Sequence, residues 1–229
     1  MTLPALAAAA LVLIEIGSGR VLRQEGDVAR RAVPGSVIKP FVLRAAAARP
    51  TRVCGRTLRL GGRRMDCVHP WLALPFTARE ALAYSCNSYF ANLGLTLEPG
   101  HLAAVLKQYG FVVSSEPVSV EDRQLLALGE FGVTITPIDL ARAYARLSSL
   151  REPGLREAVE VGTAQRAAVP GLAVAGKTGT TLGHSWFAGY APAGDPRVAV
   201  VVLTDEGTGG ASAAPEAAKV LERWFTTGR

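Results

Sequence analysis

Ser36 and Lys39 stand three residues apart, Ser85 and Asn87 two apart, and Lys177 opens the run Lys177-Thr178-Gly179-Thr180. On a helix, residues three apart share a face. A serine hydroxyl becomes a nucleophile when a base takes its proton, and a lysine that is partly desolvated and near other cations has its pKa lowered enough to be that base. A helix starting at Ser36 would also favour the negative charge that develops there. Ser85 is placed to relay a proton between the lysine and a leaving amine. Asn87 can donate to a substrate carbonyl and accept from a lysine. On a strand, Lys177 and Gly179 face one side and Thr178 and Thr180 the other. Gly179, lacking a side chain, lets a substrate backbone lie close, so that an extended peptide can pair with this edge. Lys177 offers a cation for a substrate carboxylate or for the serine relay. Backbone N–H groups of Ser36 and near Thr180 form a candidate oxyanion hole. The set amounts to a nucleophile, a base, a shuttle and a cationic anchor, which is the equipment of a serine enzyme that passes through an acyl intermediate.

Each motif alone has a plainer reading. A serine three residues before a lysine is common, Ser85 or Asn87 would serve as a helix cap, and Gly-Thr is frequent in turns. Their order along one chain, and the elements that carry them, give the set its meaning. Val12–Ile16 and Arg20–Arg23 read as strands joined by the Gly17-Ser18-Gly19 turn. A helix is predicted from Ser36 to Arg49, stopped by Pro50. Residues 51–76, rich in Gly, Arg and Pro, read as a loop. Thr77 and Glu80 form a capping-box pattern for a helix ending near Tyr84. Helices follow over 87–95, 99–109 and from Thr136-Pro137 to about Ser149. After Gly171 the period changes, predicting strands over 172–180, 185–190 and 197–204 and a last helix over 214–227. Both ends of the chain (10–25 and 171–229) then supply one sheet, with a helical lobe (about 36–150) between them. This fits a mixed sheet covered by helices, in one domain over 1–229, with the cleft at the junction.

The chain has 229 residues, 49% hydrophobic and 19% charged, with a net charge of +6. Its basic residues are not clustered with interleaved aromatics, and Arg30-Arg31 and Arg63-Arg64 are only pairs, so no nucleic-acid partner is expected. The apolar run Leu3–Ile14 is too short to span a bilayer and lacks the basic residues that open a signal peptide, so its end reads as a buried strand. Cys54 and Cys67 bracket the Gly/Arg-rich loop, and Cys86 lies inside the second motif. A Cys54–Cys67 disulfide, two unpaired thiols, and a zinc site of Cys54, Cys67 and His69 are all open readings; the last lacks a clear fourth ligand and the usual CxxC spacing. His69 and His101 read as structural or exposed, and His184 as a candidate to line the cleft.

As a set, the three motifs resemble those of the penicillin-binding-protein transpeptidase domain, within the serine β-lactamase/transpeptidase-like superfamily. Further stretches carry the resemblance: Pro34-Gly35-Ser36 with Lys39-Pro40, Ala81 to Phe90 around the second motif, Thr136-Pro137 with Leu140 to Tyr144, and Trp186 to Pro192. It spans roughly Val12 to Leu221. The resemblance implies an α/β (α+β) fold, an antiparallel sheet flanked by helices plus a mostly helical lobe. It implies Ser36 as the acylated nucleophile, Lys39 as its base, Ser85 and Asn87 as the second motif, and Lys177, Thr178 and Thr180 as the carboxylate anchor and relay. The implied substrate is a peptidoglycan stem peptide ending in D-Ala-D-Ala, imitated by β-lactam antibiotics. No metal or organic cofactor is implied, the setting is the extracytoplasmic or periplasmic cell envelope, and membrane contact is expected only through segments this chain does not contain. Gly129-Glu130-Phe131-Gly132 departs from the Gly-Gln-Gly-like turn of the family.

Two other classes share the acylation chemistry. A class D-like serine β-lactamase would need a positioned water and base for deacylation, for which Glu130 and Glu116 are candidates. Its lysine works carbamylated in an apolar pocket, and Asn87 beside the lysine argues against that. A β-lactam sensor would keep Ser36 and Lys39 and turn over nothing.

Overall fold

The computed structural model describes residues 9–70 and 75–228. In chain order it contains β1 (Ala10–Glu15), β2 (Val21–Gly26), α1 (Lys39–Ala45), β3 (Arg59–Leu60), β4 (Arg63–Arg64), α2 (Ala78–Ala83), α3 (Asn87–Thr96), α4 (His101–Gln108), β5 (Val112–Val113), α5 (Val120–Leu128), β6 (Val133–Thr134), α6 (Pro137–Leu147), α7 (Pro153–Glu160), β7 (Ala175–Thr181), β8 (His184–Ala191), β9 (Val198–Thr204) and α8 (Ala214–Thr227). Leu3 to Ala8 of the apolar run, and residues 71–74 of the expected loop, lie outside the described residues. Among the described residues no helix is long and apolar enough to cross a membrane.

Five strands form one sheet in the order β2-β1-β9-β8-β7. Every neighbouring pair is antiparallel, so the mixed sheet expected from element order is corrected to the antiparallel one implied by the resemblance. Segments far apart in the chain build it: β1 pairs with β9, Val12 opposite Val201. The central strand β9, Val-Ala-Val-Val-Val-Leu-Thr, is buried along its whole length because both sheet faces are covered. Successive residues then serve two cores. Val12 and Ile14 of β1 and Val201 and Leu203 of β9 face one way, toward α6 and the helical lobe. Leu11, Leu13, Val200 and Val202 face the other, against Ala214, Ala217 and Leu221 of α8. Edge strand β2 is mostly exposed and carries Arg23 and Glu25, which discourages pairing with another chain. The other edge, β7, borders the cleft.

Two helices escape the sequence reading. α5 begins at a full capping box, Ser119 with Asp122, and α7 begins with Pro153 at its first position. Both signals are present in the sequence but stand before short segments of low apolar content. The predicted helix over 36–49 is shorter and less regular. Gly35–Ile38 is a 3-10 turn, the α-helix starts at Lys39, and Ala46 is already extended. The Arg49 guanidinium folds back onto the Leu43 carbonyl (3.2 and 3.0 Å), which also accepts the Ala46 N–H at the helix end (3.3 Å).

Candidate active site

Ser36 sits in the 3-10 turn that leads into α1, and three distant elements hold this turn. Trp186 of β8, fully buried, donates its indole N–H to the Val33 carbonyl at 2.9 Å. Tyr144 of α6 donates its hydroxyl to the Val37 carbonyl at 2.9 Å. The Gly35 N–H donates to the Gly129 carbonyl at 3.1 Å, and Gly35 has the left-handed φ of +53° that glycine tolerates. Strand β7 packs directly on the turn: a Cβ on Gly179 would lie 2.8 Å from the Pro34 carbonyl oxygen and 3.1 Å from Val37 Cγ1. The close approach that Gly179 permits is therefore to the nucleophile turn.

Lys39 follows one turn after Ser36, its N–H bonded to the Ser36 carbonyl, and is 0% exposed. Its ammonium donates to the Ser85 carbonyl (3.0 Å), the Ser85 hydroxyl (3.0 Å) and Asn87 Oδ1 (2.6 Å). The Phe90 ring lies beneath it, 5.3 Å from nitrogen to centroid. Burial disfavours the charged form and pulls the lysine pKa down to about 8. Ser85 reaches Lys39 because its backbone turns left-handed (φ +56°) between α2 and α3. Asn87, the first residue of α3, also donates its amide to the Met65 carbonyl at 2.9 Å, which orients its oxygen toward the lysine.

Lys177 is likewise 0% exposed, and burial, followed by the nearby Lys39 charge, pulls its pKa well below the ordinary lysine value. Its ammonium donates to the Thr178 carbonyl at 3.0 Å and meets Thr163 Oγ1 at 3.5 Å. Thr178 donates its hydroxyl to Thr163 Oγ1 at 2.8 Å, and Thr180 Oγ1 accepts the Gly209 N–H at 3.1 Å. A cleft of about 500 Å³ is lined by Ser36, Ser85, Asn87, Thr178 and Thr180. The three motifs, far apart in sequence, therefore converge on one cavity.

Thr163, Thr208 and Gly210 also line the cleft, and sequence reasoning passed over them. Thr163 reaches it through a tight junction in which its N–H donates to the Ala83 carbonyl (3.2 Å) and Gly162 leaves no room for a side chain against Ala83. No local pattern announces such a contact. Glu130 accepts from Arg63 at 3.1 Å; burial raises its pKa despite that partner. Glu116 pairs with Lys107 at the surface, and His184 is not among the cleft-lining residues. Of the open readings for the cysteines, the Cys54–Cys67 disulfide is not formed: all three cysteines are free thiols. His69 is buried and its ring packs edge-on to Phe76 (4.7 Å), while His101 is exposed at the start of α4.

The family model described as penicillin binding protein transpeptidase domain matches residues 9–161 and 149–222. A curated relative from Mycolicibacterium smegmatis, named peptidoglycan D,D-transpeptidase PbpA, is 30% identical over 203 aligned residues, covering 60% of this chain and 41% of the relative. The Mycobacterium tuberculosis protein of the same name is 27% identical over 210 residues, covering 63% of this chain and 43% of the relative. The matched part is thus about two fifths of those relatives' length. Among solved structures, the D,D-transpeptidase domain of a peptidoglycan glycosyltransferase from Eggerthella lenta superposes with a TM-score of 0.80 at 19% identity, over 98% of this chain and 79% of that one. Penicillin-binding protein A from M. tuberculosis, in an imipenem acyl-enzyme complex, gives 0.78 at 19% identity, over 97% and 74%. At these identities the two structures speak for the fold.

Proposed function

Since the chain belongs to the penicillin-binding-protein transpeptidase family, we propose that it is a serine acyl-transferase acting on peptidoglycan stem peptides that end in D-Ala-D-Ala, outside the cytoplasm, and that β-lactams acylate it at Ser36. The observation that carries this reading is the Lys39 ammonium, buried one turn after Ser36 and held by Ser85 and Asn87 on the wall of the same cleft.

In this reading neutral Lys39 accepts the Ser36 proton as the hydroxyl oxygen attacks the penultimate D-Ala carbonyl. Backbone N–H groups of Ser36 and near Thr180 receive the oxyanion. The proton passes through Ser85 to the departing D-alanine amine, leaving an ester on Ser36. An acceptor amine then takes the acyl group in transpeptidation, or water takes it in carboxypeptidation. Thr178 and Thr180 hold the substrate's terminal carboxylate, with the Lys177 charge behind them. The names of the mycobacterial relatives favour the transpeptidase outcome.

Hydrolytic β-lactamase turnover finds less support. Asn87 Oδ1 makes the Lys39 environment polar, which disfavours carbamylation. Glu130 is tied to Arg63 and Glu116 to Lys107, and neither lines the cleft.

Intact-mass analysis during incubation with benzylpenicillin tests the proposal. One covalent equivalent, mapped to Ser36 and lost in Ser36→Ala, is expected. An adduct on another residue, or one that persists in Ser36→Ala, would overturn it. Formation of the free tetrapeptide from a pentapeptide, against formation of a crosslinked product, then separates the two deacylation routes.

A further inference from the structure

Behind the second motif, outside the cleft, lies a cluster that acyl transfer does not use. Cys54, Cys67, His69 and Cys86 bring three sulfurs and one imidazole nitrogen within 4.8 Å of one another. Cys67, His69 and Cys86 are buried and Cys54 is half-buried. We propose that these four side chains bind one zinc ion in a Cys3His tetrahedral site that fastens the 51–70 loop to the Ser85-Cys86-Asn87 turn.

The distances fit a metal better than a covalent bridge. Zinc–sulfur bonds of about 2.3 Å and zinc–nitrogen bonds of about 2.0 Å, at tetrahedral angles, put two thiolates about 3.8 Å apart and a thiolate and imidazole nitrogen about 3.5 Å apart. Cys67 and Cys86 sulfurs are 3.7 Å apart, and Cys54 Sγ lies 3.4 Å from His69 Nε2. A disulfide would require about 2.05 Å.

The surroundings are those of ligands. His69 Nδ1 lies 2.8 Å from the Pro70 carbonyl, which can only accept, so the ring proton sits on Nδ1 and the Nε2 lone pair faces the sulfurs. Each sulfur accepts a backbone N–H: Arg56 to Cys54 (3.3 Å), Ser88 to Cys67 (3.4 Å) and Tyr89 to Cys86 (3.4 Å). Such bonds stabilise thiolate charge. The missing fourth ligand of the sequence reading is Cys86, which only the fold brings beside the loop.

The loop also needs a fastener. Among its described residues, β-pairing is limited to the two-residue ladder of β3 and β4 and a single Arg52–Phe76 bridge. Yet its Met65 carbonyl orients Asn87. A metal bound at Cys86 and at three loop positions would hold that contact in register. Binding exchanges the thiol protons for the cation and releases them to solvent. In an oxidising compartment it would also keep Cys67 and Cys86 from pairing.

The site does not rest on the proposed acylation, and its test reads the ligands directly. Protein purified without added metal is assayed for zinc by mass spectrometry, then stripped with a chelator and titrated with cobalt(II). We expect one zinc per chain, and tetrahedral cobalt d–d bands with a thiolate-to-cobalt charge-transfer band at one equivalent. Cys54→Ser and His69→Ala should lower bound zinc at least tenfold. If those variants fail to fold, the cobalt spectrum of the unsubstituted chain still decides. Metal-free protein that gives no tetrahedral cobalt spectrum, or a native Cys67–Cys86 disulfide in the intact mass, would overturn the proposal.

Discussion

The Lys39 ammonium nitrogen and the Asn87 amide oxygen lie 2.6 Å apart although 48 residues separate them in the chain. The contact favours the lysine cation, while complete burial opposes it, and burial prevails, bringing the pKa to about 8. A base must be neutral to accept a proton. The second-order rate of benzylpenicillin acylation should therefore rise about tenfold per pH unit below 8 and level off above it. A stopped-flow pH series from 6 to about 10 checks this, and a flat profile would contradict Lys39 as the base.

The same shift sets a stability slope. Lys39 has a folded pKa of about 8, below its unfolded one, so between about pH 8 and 10 it binds more proton in the unfolded chain than in the folded one, and Lys177, also lowered by burial, acts in the same sense. Their contribution to stability is unfavourable at neutral pH and diminishes as pH rises through that window. The gain in urea midpoint that Lys39→Met brings over the parent should therefore shrink from pH 8 to 9.5.

Gly179→Ala drives a methyl to 2.8 Å from the Pro34 carbonyl oxygen, a backbone atom that cannot step aside. Strand β7 must then separate from the nucleophile turn. The cost should be about 1–3 kcal/mol of stability, with at least tenfold slower acylation. Gly194→Ala is the control, because nothing lies within 4 Å of its Cβ position and its φ is ordinary. Thermal melts of the two variants, side by side, measure the contrast.

Ser85→Gly separates strain from chemistry. Ser85 holds a left-handed φ of +56°, which costs a non-glycine residue about 1–2 kcal/mol. Its hydroxyl nevertheless reaches Lys39 at 3.0 Å. The variant should keep its melting stability within about 1 kcal/mol of the parent, strain relief offsetting the lost bond, while acylation falls at least tenfold. A parallel loss of both would mean that the turn, not the hydroxyl, is what matters.

Thr163→Val removes the acceptor that Thr178 uses at 2.8 Å and Lys177 approaches at 3.5 Å, yet nearly preserves shape. Peptide substrates with a free C-terminal carboxylate should lose about tenfold in kcat/KM, and the corresponding amides far less. Steady-state kinetics on the pair reports this directly.

Much of this arrangement was legible one segment at a time. The Gly17-Ser18-Gly19 turn, the Thr77–Glu80 box and the Thr136-Pro137 start are local devices, and each marks an element the fold contains. The strand period after Gly171 was equally plain, because β7, β8 and β9 are bounded by turn residues. The hidden parts are of two kinds. α5 and α7 had start signals but too little apolar repetition to stand out. Thr163 and Cys86 matter through partners remote in sequence, and only packing reveals them. Lys39 stood at the visible i+3 spacing from Ser36, but its bonds to Ser85 and Asn87 required the close packing of α1 on α3.

The turn bearing Ser36 is tethered to Trp186, and β1 is zipped to β9, so the segment that carries the nucleophile is completed only by strands made later in the chain. During synthesis, a growing polypeptide that has emerged only as far as α7 has Ser36, Lys39, Ser85 and Asn87 but no wall to close around them. Reactivity thus arrives only once β8 and β9 have been made, and premature termination anywhere before β8 should yield fragments blind to penicillin.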